Sequence, residues 1–461
     1  MKIFLTHGYY LKSDPNEMRI MKPYVPLGIL YISAFLKQHG FDATVYDSTF
    51  KTFEEQKKAL LAEKPDIIAI YCNLMTKLNV LPLIKFIRQH DELKSSKIIL
   101  GGPEPPFHAT EFLDYGADII VEGEGEETML QLCRELSNPR ADLSKVNGIY
   151  FKQNGSVVKN PPREKVKDID VLPFPDRKAV DLSLYLEAWK NAHGYSSVSI
   201  NTMRGCPYTC KWCSHTVYGV SYRRRSPEKT ADEIEYIIAN YNPDMLWFVD
   251  DVFTVSHKWL TKLLQVFNER GIKIKFECIS RSDRLNEEVI TILKQLGCFR
   301  LWIGAESGSQ HVLDLMDRRV NAADTREKIK LTRKHGIEAG TFIMLGYPGE
   351  RKQDIIETTE HLKDSNPDIF LTTVAYPIKG TPFYTEVESR LVTDKQWHQR
   401  TDRDLDFKGR YSKKFYKHAN RYMVNEVNYF KMKVNGKSSF TSLGKTLLKA
   451  KISRLMMSFI K

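Results

Sequence analysis

The stretch SVSINTMRGCPYTCKWCSH, residues 197–215, decides how this chain is read. A β-branched apolar run ends in a loop containing Gly205 and Pro207, and Cys206, Cys210 and Cys213 follow in the spacing C-x-x-x-C-x-x-C. Thiolates bind soft metals, and three of them within eight residues are able to face one centre. Iron–sulfur cubes take four cysteine ligands, so three close cysteines leave one iron open to an outside ligand. The alternative is a structural zinc site of the Cys₃His type that recruits His215. Closed zinc sites usually draw paired ligands from two separate knuckles, and no second Cys or His pair lies nearby. The spacing favours a cluster over zinc.

Downstream of this loop the strand candidates are 244–251, 273–280, 300–306, 340–346 and 368–376, with 197–203 as the first of the series. Helical patterns at 227–241, 256–270, 286–297, 324–335 and 351–364 separate them. Six βα units in sequence predict a partial parallel barrel, short of a full eight. Polar residues and glycines gather at the strand ends: Asp250-Asp251, Ser280-Arg281, Glu306-Ser307-Gly308 and Gly346. That edge is where an active site is expected.

Upstream, residues 1–140 also alternate apolar runs with helical patterns, near 27–39, 53–63, 76–90 and 125–137. Ile- and Val-rich strands alternating with helices predict a doubly wound parallel sheet covered on both faces. Its strands end in Cys72-Asn73, Gly101-Gly102-Pro103 and Glu122-Gly123-Glu124-Gly125, and ligands sit at such carboxyl ends. IYFKQNGSVVK predicts a hairpin around Asn154-Gly155, and a proline-rich stretch follows. The expected organisation is therefore 1–140 as a Rossmann-type domain, 141–195 as a connecting segment with a hairpin, 196–390 as a partial barrel, and 391–461 as a basic C-terminal region.

Composition excludes other classes. With 461 residues, 42% apolar and 27% charged, the chain has ordinary globular composition. No apolar run reaches the ~18 residues of a membrane span. The start, MKIFLTHGYYLKSD, is too short in apolar residues for a signal peptide, which predicts a cytoplasmic protein. The net charge of +12 invites a nucleic-acid reading, but residues 411–461 hold twelve Lys and Arg against the one acid Glu426. The tail carries +11 and the preceding 410 residues only +1, so no nucleic-acid partner is expected.

The cysteine loop after the first strand of a six-unit partial barrel resembles the radical SAM superfamily. IGAESGS, LGYPGE and KGTPFY are similar to motifs of one large subgroup, which often carries a cobalamin-binding domain ahead of the barrel. The resemblance covers nearly all of residues 1–400 and includes members such as anaerobic magnesium-protoporphyrin cyclases and class B methyltransferases. It implies a 4Fe–4S cluster on Cys206, Cys210 and Cys213, with S-adenosylmethionine (SAM) on the open iron. One electron, from a donor such as flavodoxin or ferredoxin, would cleave SAM to methionine and a 5′-deoxyadenosyl radical. Further positions that it implies around SAM are Trp212 near the adenine, Asp250 and Asp251 near the methionine amine, Arg281 for the carboxylate, and Glu306.

For the N-terminal domain the resemblance implies cobalamin, with Gly101, Gly102, Glu122 and Gly123 lining its crevice. The signature D-x-H-x-x-G is absent, and His7-Gly8 and His39-Gly40 lack its Asp and spacing, so no histidine is expected beneath the cobalt. A dinucleotide fits poorly, since no G-x-G-x-x-G follows the first strand and acids flank Gly123 and Gly125. The implied function is methyl transfer to an unactivated carbon of a small-molecule or lipid-like substrate. Alternatives are oxidative cyclisation or rearrangement, tRNA methylthiotransfer, and a non-catalytic cofactor-binding protein. No residue is singled out as catalytic.

Core packing is the expected role of Cys72, Cys133, Cys278 and Cys298, with Cys72 also facing the crevice. Residues 443–460 place Leu447, Leu448, Ile452, Leu455, Met456 and Phe459 near one helical face with basic residues on others. That predicts either a basic amphipathic helix at an anionic membrane surface or a helix packed on the barrel.

Overall fold

The alternating apolar runs of the N-terminal region become one face-covered sheet in the computed structural model, which describes residues 1–436 and 439–460. Lys437 and Lys461 of the basic tail lie outside the described residues. The chain divides into two compact units. The first comprises Met1–Pro207, Ser214–Met245 and Asp394–Asp404; the second comprises Tyr208–Cys213, Leu246–Thr393 and Leu405–Lys461.

The sheet of the first unit runs Ala43–Tyr46, Ile3–His7, Ile67–Tyr71, Lys97–Gly101, Ile119–Val121, Ile149–Gln153, Ser156–Lys159. The first five strands are parallel, in the order of a doubly wound fold. Neighbouring residues of one strand enter opposite cores, as a strand buried on both faces requires. Ile68 and Ile120 pack with Leu83, Ile84 and Ile87, whereas Ile67 and Ile119 pack with Leu36 and Leu130. The hairpin forms as expected, with Asn154 and Gly155 at φ 51° and 81°, and it extends the sheet by antiparallel pairing. The proline-rich stretch carries one helix that the sequence pattern does not signal, Leu182–His193, capped by the Asp181 side chain.

Each of the six strands expected between 196 and 390 forms. The first is Ser197–Ile200, within the first unit. Met245–Phe248, of which all but Met245 lies in the second unit, is followed there by Lys275–Ser280, Cys298–Glu306, Glu338–Leu345 and Ile369–Val374, side by side in chain order. The last four pair in parallel. Helices His257–Arg270, Glu287–Leu296, Ala322–Lys334 and Lys352–Ser365 alternate with them. The pairing of Cys298–Glu306 with Glu338–Leu345 slips between Gly304 and Glu306, and Glu306 sits at φ 62°. A slip of this kind at a strand end re-aims the side chain that follows it.

Two helices close the second unit, Lys413–Asn435 and Phe440–Phe459. Tyr422, Met423 and Val427 from the first and Ala450 and Met457 from the second share a core with Ile343, Leu345 and Ile355. The tail is therefore a docked part of this unit. Among the described residues, no helix is long and apolar enough to cross a membrane.

Candidate cofactor sites

The loop before the first cysteine is fixed by its glycine. A Cβ on Gly205 would stand 2.2 Å from Ser221 Oγ, and its φ of 83° suits glycine alone. Cys206 and Cys210 are buried, and Cys213 is exposed. Among the described residues, no three His, Cys, Asp or Glu side chains converge as one metal ion would require. An iron–sulfur cube spaces its thiolates more widely than a single ion does.

In the second unit two guanidinium groups face Cys210 Sγ, Arg281 at 3.4 Å and Arg318 at 3.8 Å. Burial raises the Cys210 thiol above its ordinary range, while Arg281 pulls it down. Such a cationic surrounding is what a buried thiolate ligand needs. Arg281 is itself heavily engaged: it pairs with Asp283 through Nε at 2.9 Å and donates from Nη2 to the Arg318 carbonyl at 3.0 Å. Its guanidinium lies 3.9 Å from the Tyr208 ring centre.

Arg318 is the residue that sequence reasoning missed. It is buried, donates from Nη2 to the Gly304 carbonyl at 2.9 Å, and leaves Nε without a partner. It also lies 5.8 Å from the Trp212 ring centre, and Trp212 packs beside Val312, Met316, Tyr347 and Phe383. The flanking Asp317 and Arg319 both hold left-handed backbone, at φ 51° and 54°. With Glu306, that places three strained non-glycine residues around one spot, the kind of strain found at functional sites. A Cβ on Gly304 would lie 2.9 Å from Glu306 Oε1 and 3.0 Å from Arg318 Nη2, so this glycine makes room for both groups. Burial raises the Glu306 carboxyl to about 7, with Arg281 opposing. Asp250 is buried beyond strand Met245–Phe248, and Asp251 beside it is exposed.

In the first unit, the glycines at the strand ends divide into two kinds. Gly102 is demanded by the fold, since a Cβ there would meet the Cys72 carbonyl oxygen at 2.4 Å. At Gly101 a Cβ would make only ordinary contact, 4.0 Å from Val121 Cβ; at Gly123 it would stand 3.7 Å from the Val217 carbonyl oxygen, but the φ of 84° there favours glycine. Glu122 is held by the hairpin, 3.0 Å from Lys159 and 3.3 Å from the Tyr150 hydroxyl. Cys72 lies fully buried in the core, as do Cys133, Cys278 and Cys298. His7 is committed through both ring nitrogens, to Asp47 and to Ser48, each at 3.0 Å, and His39 to the Phe35 carbonyl.

The acids around Gly123 and Gly125 are not a free anionic cluster. Arg204, two residues before Cys206, pairs with Glu124 at 3.0 Å and with Glu126, all three being buried. Arg223 also pairs with Glu124. The rings of Tyr31 and Tyr218 lie 5.3 and 5.4 Å from the Arg204 guanidinium. The repulsion expected from the acids is thus neutralised by two arginines far away in sequence.

Comparison with known proteins identifies two domains in the chain. The profile described as "Radical SAM superfamily" matches residues 200–362, and that of the "B12 binding domain" matches residues 20–133. An uncharacterised methyltransferase of Pyrococcus horikoshii is 27% identical over 82% of this chain and 82% of its own length. The anaerobic magnesium-protoporphyrin IX monomethyl ester cyclase of Synechocystis is 27% identical over 80% of this chain and 74% of its own. The fold is similar to that of the cobalamin-dependent SAM radical enzyme OxsB, with TM-score 0.76 and 19% identity, over 99% of this chain and 72% of that one. The matched domains are those that take a 4Fe–4S cluster with SAM and cobalamin. With its cysteine loop and its glycine-edged sheet, the chain belongs to the radical SAM enzymes that carry a B12-binding domain.

Proposed function

We propose that this enzyme methylates an unactivated carbon of a small-molecule or lipid-like substrate. The observation that carries this reading is the B12-binding domain matched at residues 20–133, because a corrinoid is a methyl carrier that a cluster-only enzyme lacks. When bound, the cluster and SAM supply a hydrogen-abstracting 5′-deoxyadenosyl radical and the corrinoid supplies the methyl group. The domains take the bounds 1–140, 141–195, 196–390 and 391–461. Cys206, Cys210 and Cys213 hold the cluster, Trp212 lies by the adenine, and Asp250, Asp251 and Glu306 face the cationic part of SAM. Gly101, Gly102, Glu122 and Gly123 frame the corrinoid, and an electron donor such as flavodoxin or ferredoxin reduces the cluster in the cytoplasm.

The SAM carboxylate goes to Arg318 rather than to Arg281. Arg281 is already committed to Asp283, whereas Arg318 has a buried, unpartnered Nε. Arg318→Met should weaken SAM binding by about tenfold to a hundredfold, the worth of a charged hydrogen bond. Calorimetry on cluster-loaded protein checks this, with Arg318→Lys expected to fall between.

Glu306 predicts a pH dependence. In the protein alone burial favours its neutral acid, so its contribution to stability is present below about 4.5 and lost as pH rises through about 7. A cationic ligand group favours the carboxylate instead. SAM affinity should therefore rise about tenfold between pH 6 and pH 8 and level off above. Glu306→Gln should flatten that profile.

The similarity to a cyclase favours radical ring formation without methyl transfer as a second reading. Anaerobic turnover with SAM separates the two. Methyl transfer yields S-adenosylhomocysteine together with 5′-deoxyadenosine; cyclisation yields 5′-deoxyadenosine alone. Reversible contact with an anionic membrane through the basic tail completes the proposal, supported by +11 in the last 51 residues.

A further inference from the structure

Resting on that membrane reading, we infer that the docked helix Phe440–Phe459 and the neighbouring helix Lys352–Ser365 form a binding site for the phosphate headgroup of an anionic phospholipid. The tail helix is buried on one side, through Ala450, Ser453 and Met457. At 100° per residue its opposite side carries Leu448, Ile452, Leu455 and Phe459, which are 58, 48, 58 and 75% exposed. A helix docked on a globular unit ordinarily turns charge outward, so an apolar ridge on the solvent side needs a partner. The ridge spans about 16 Å along the axis.

Cations flank the ridge on both sides, Lys445 and Lys449 on one, Lys451 and Arg454 on the other. Beside Arg454 a shallow groove of about 380 Å³ is lined by Lys352, Ile356, Lys451, Arg454, Leu455 and Ser458. Lys352 donates to Ser458 Oγ at 2.5 Å, which ties it to the tail helix that supplies Lys451 and Arg454 to the same lining. The lining holds no carboxylate, and among the described residues none of these cations forms an ion pair. Three unneutralised cations beside an apolar ridge match a phosphodiester above acyl chains in charge and in layering.

The test uses full-length, cluster-loaded protein with vesicles of phosphatidylcholine alone or mixed with phosphatidylglycerol. Deleting the tail is uninformative, because it would strip Ala450 and Met457 from the core. The expected result is binding to the anionic vesicles only. Lys352→Glu/Arg454→Glu and, separately, Leu455→Ser/Phe459→Ser should each weaken it at least about tenfold. Unfolding profile and SAM cleavage should stay unchanged in both variants. If the groove variant binds as tightly as the parent, the headgroup site is wrong while the membrane reading stands. If the parent ignores anionic vesicles at low salt, the membrane reading itself fails. If the parent is a dimer that Phe459→Ser dissociates, the ridge belongs to a second copy and the inference is overturned.

Discussion

Replacing Cys206, Cys210 and Cys213 together with alanine should abolish cluster absorbance and reduce SAM cleavage to background. Cys210 is expected to be the most sensitive single position. Its sulfur is the shared acceptor of Arg281 and Arg318, both buried. Cys210→Ala leaves those two guanidiniums facing each other across a hole, so stability should fall as well as iron content. Cys210→Ser keeps the shape and offers a hydroxyl acceptor to the two arginines, and should recover stability without recovering the cluster. Iron and sulfide analysis beside a denaturation curve reads both effects. A triple variant that keeps its iron would show the cluster to lie elsewhere.

The second large effect is expected at Arg204. Breaking a buried ion pair by removing one partner typically costs about 3–5 kcal/mol, because the remaining charge is left unpaired. Arg204→Met strands Glu126 and leaves Glu124 to Arg223 alone. Denaturant unfolding should show that loss. Adding Glu126→Gln should recover most of it, since Glu124 and Arg223 then remain as a balanced pair. Arg204 leads into the first cysteine and the two acids follow Gly123, so the network ties the strand before Cys206 to the loop after Gly123 within the first unit. Corrinoid content should fall in Arg204→Met and return in Arg204→Met/Glu126→Gln. Full stability in the single variant would rule out this account of the acids.

What the sequence made legible follows from local chemistry. The Asn154-Gly155 hairpin needs two left-handed residues in a row, and few residue pairs supply them. The buried strands read correctly because parallel strands covered on both faces are continuously apolar. The cysteine loop reads as a candidate cofactor site because its three cysteines are close in sequence. Arg318 does not, because only the fold brings it to Cys210, 108 residues away. The pairing of Glu124 and Glu126 with Arg204 was hidden for the same reason, and a run of acids looked like a field of negative charge. The tail was legible as basic and amphipathic, but its burial side could not be chosen. Ala450, Ser453 and Met457 are small or flexible, and they pack where the larger Leu455 and Phe459 would have been expected.

The central claim is that one chain holds a cluster and a corrinoid at once. The most direct measurement is spin resonance with metal analysis on a single sample, reconstituted anaerobically with iron, sulfide and hydroxocobalamin and then reduced. The account predicts one 4Fe–4S cluster and one corrinoid per chain, with a cob(II)alamin signal free of nitrogen splitting from the protein, since His7 and His39 are both committed elsewhere. Folded protein that takes zinc in place of the cluster, or that loads its cluster and binds no corrinoid, would contradict it.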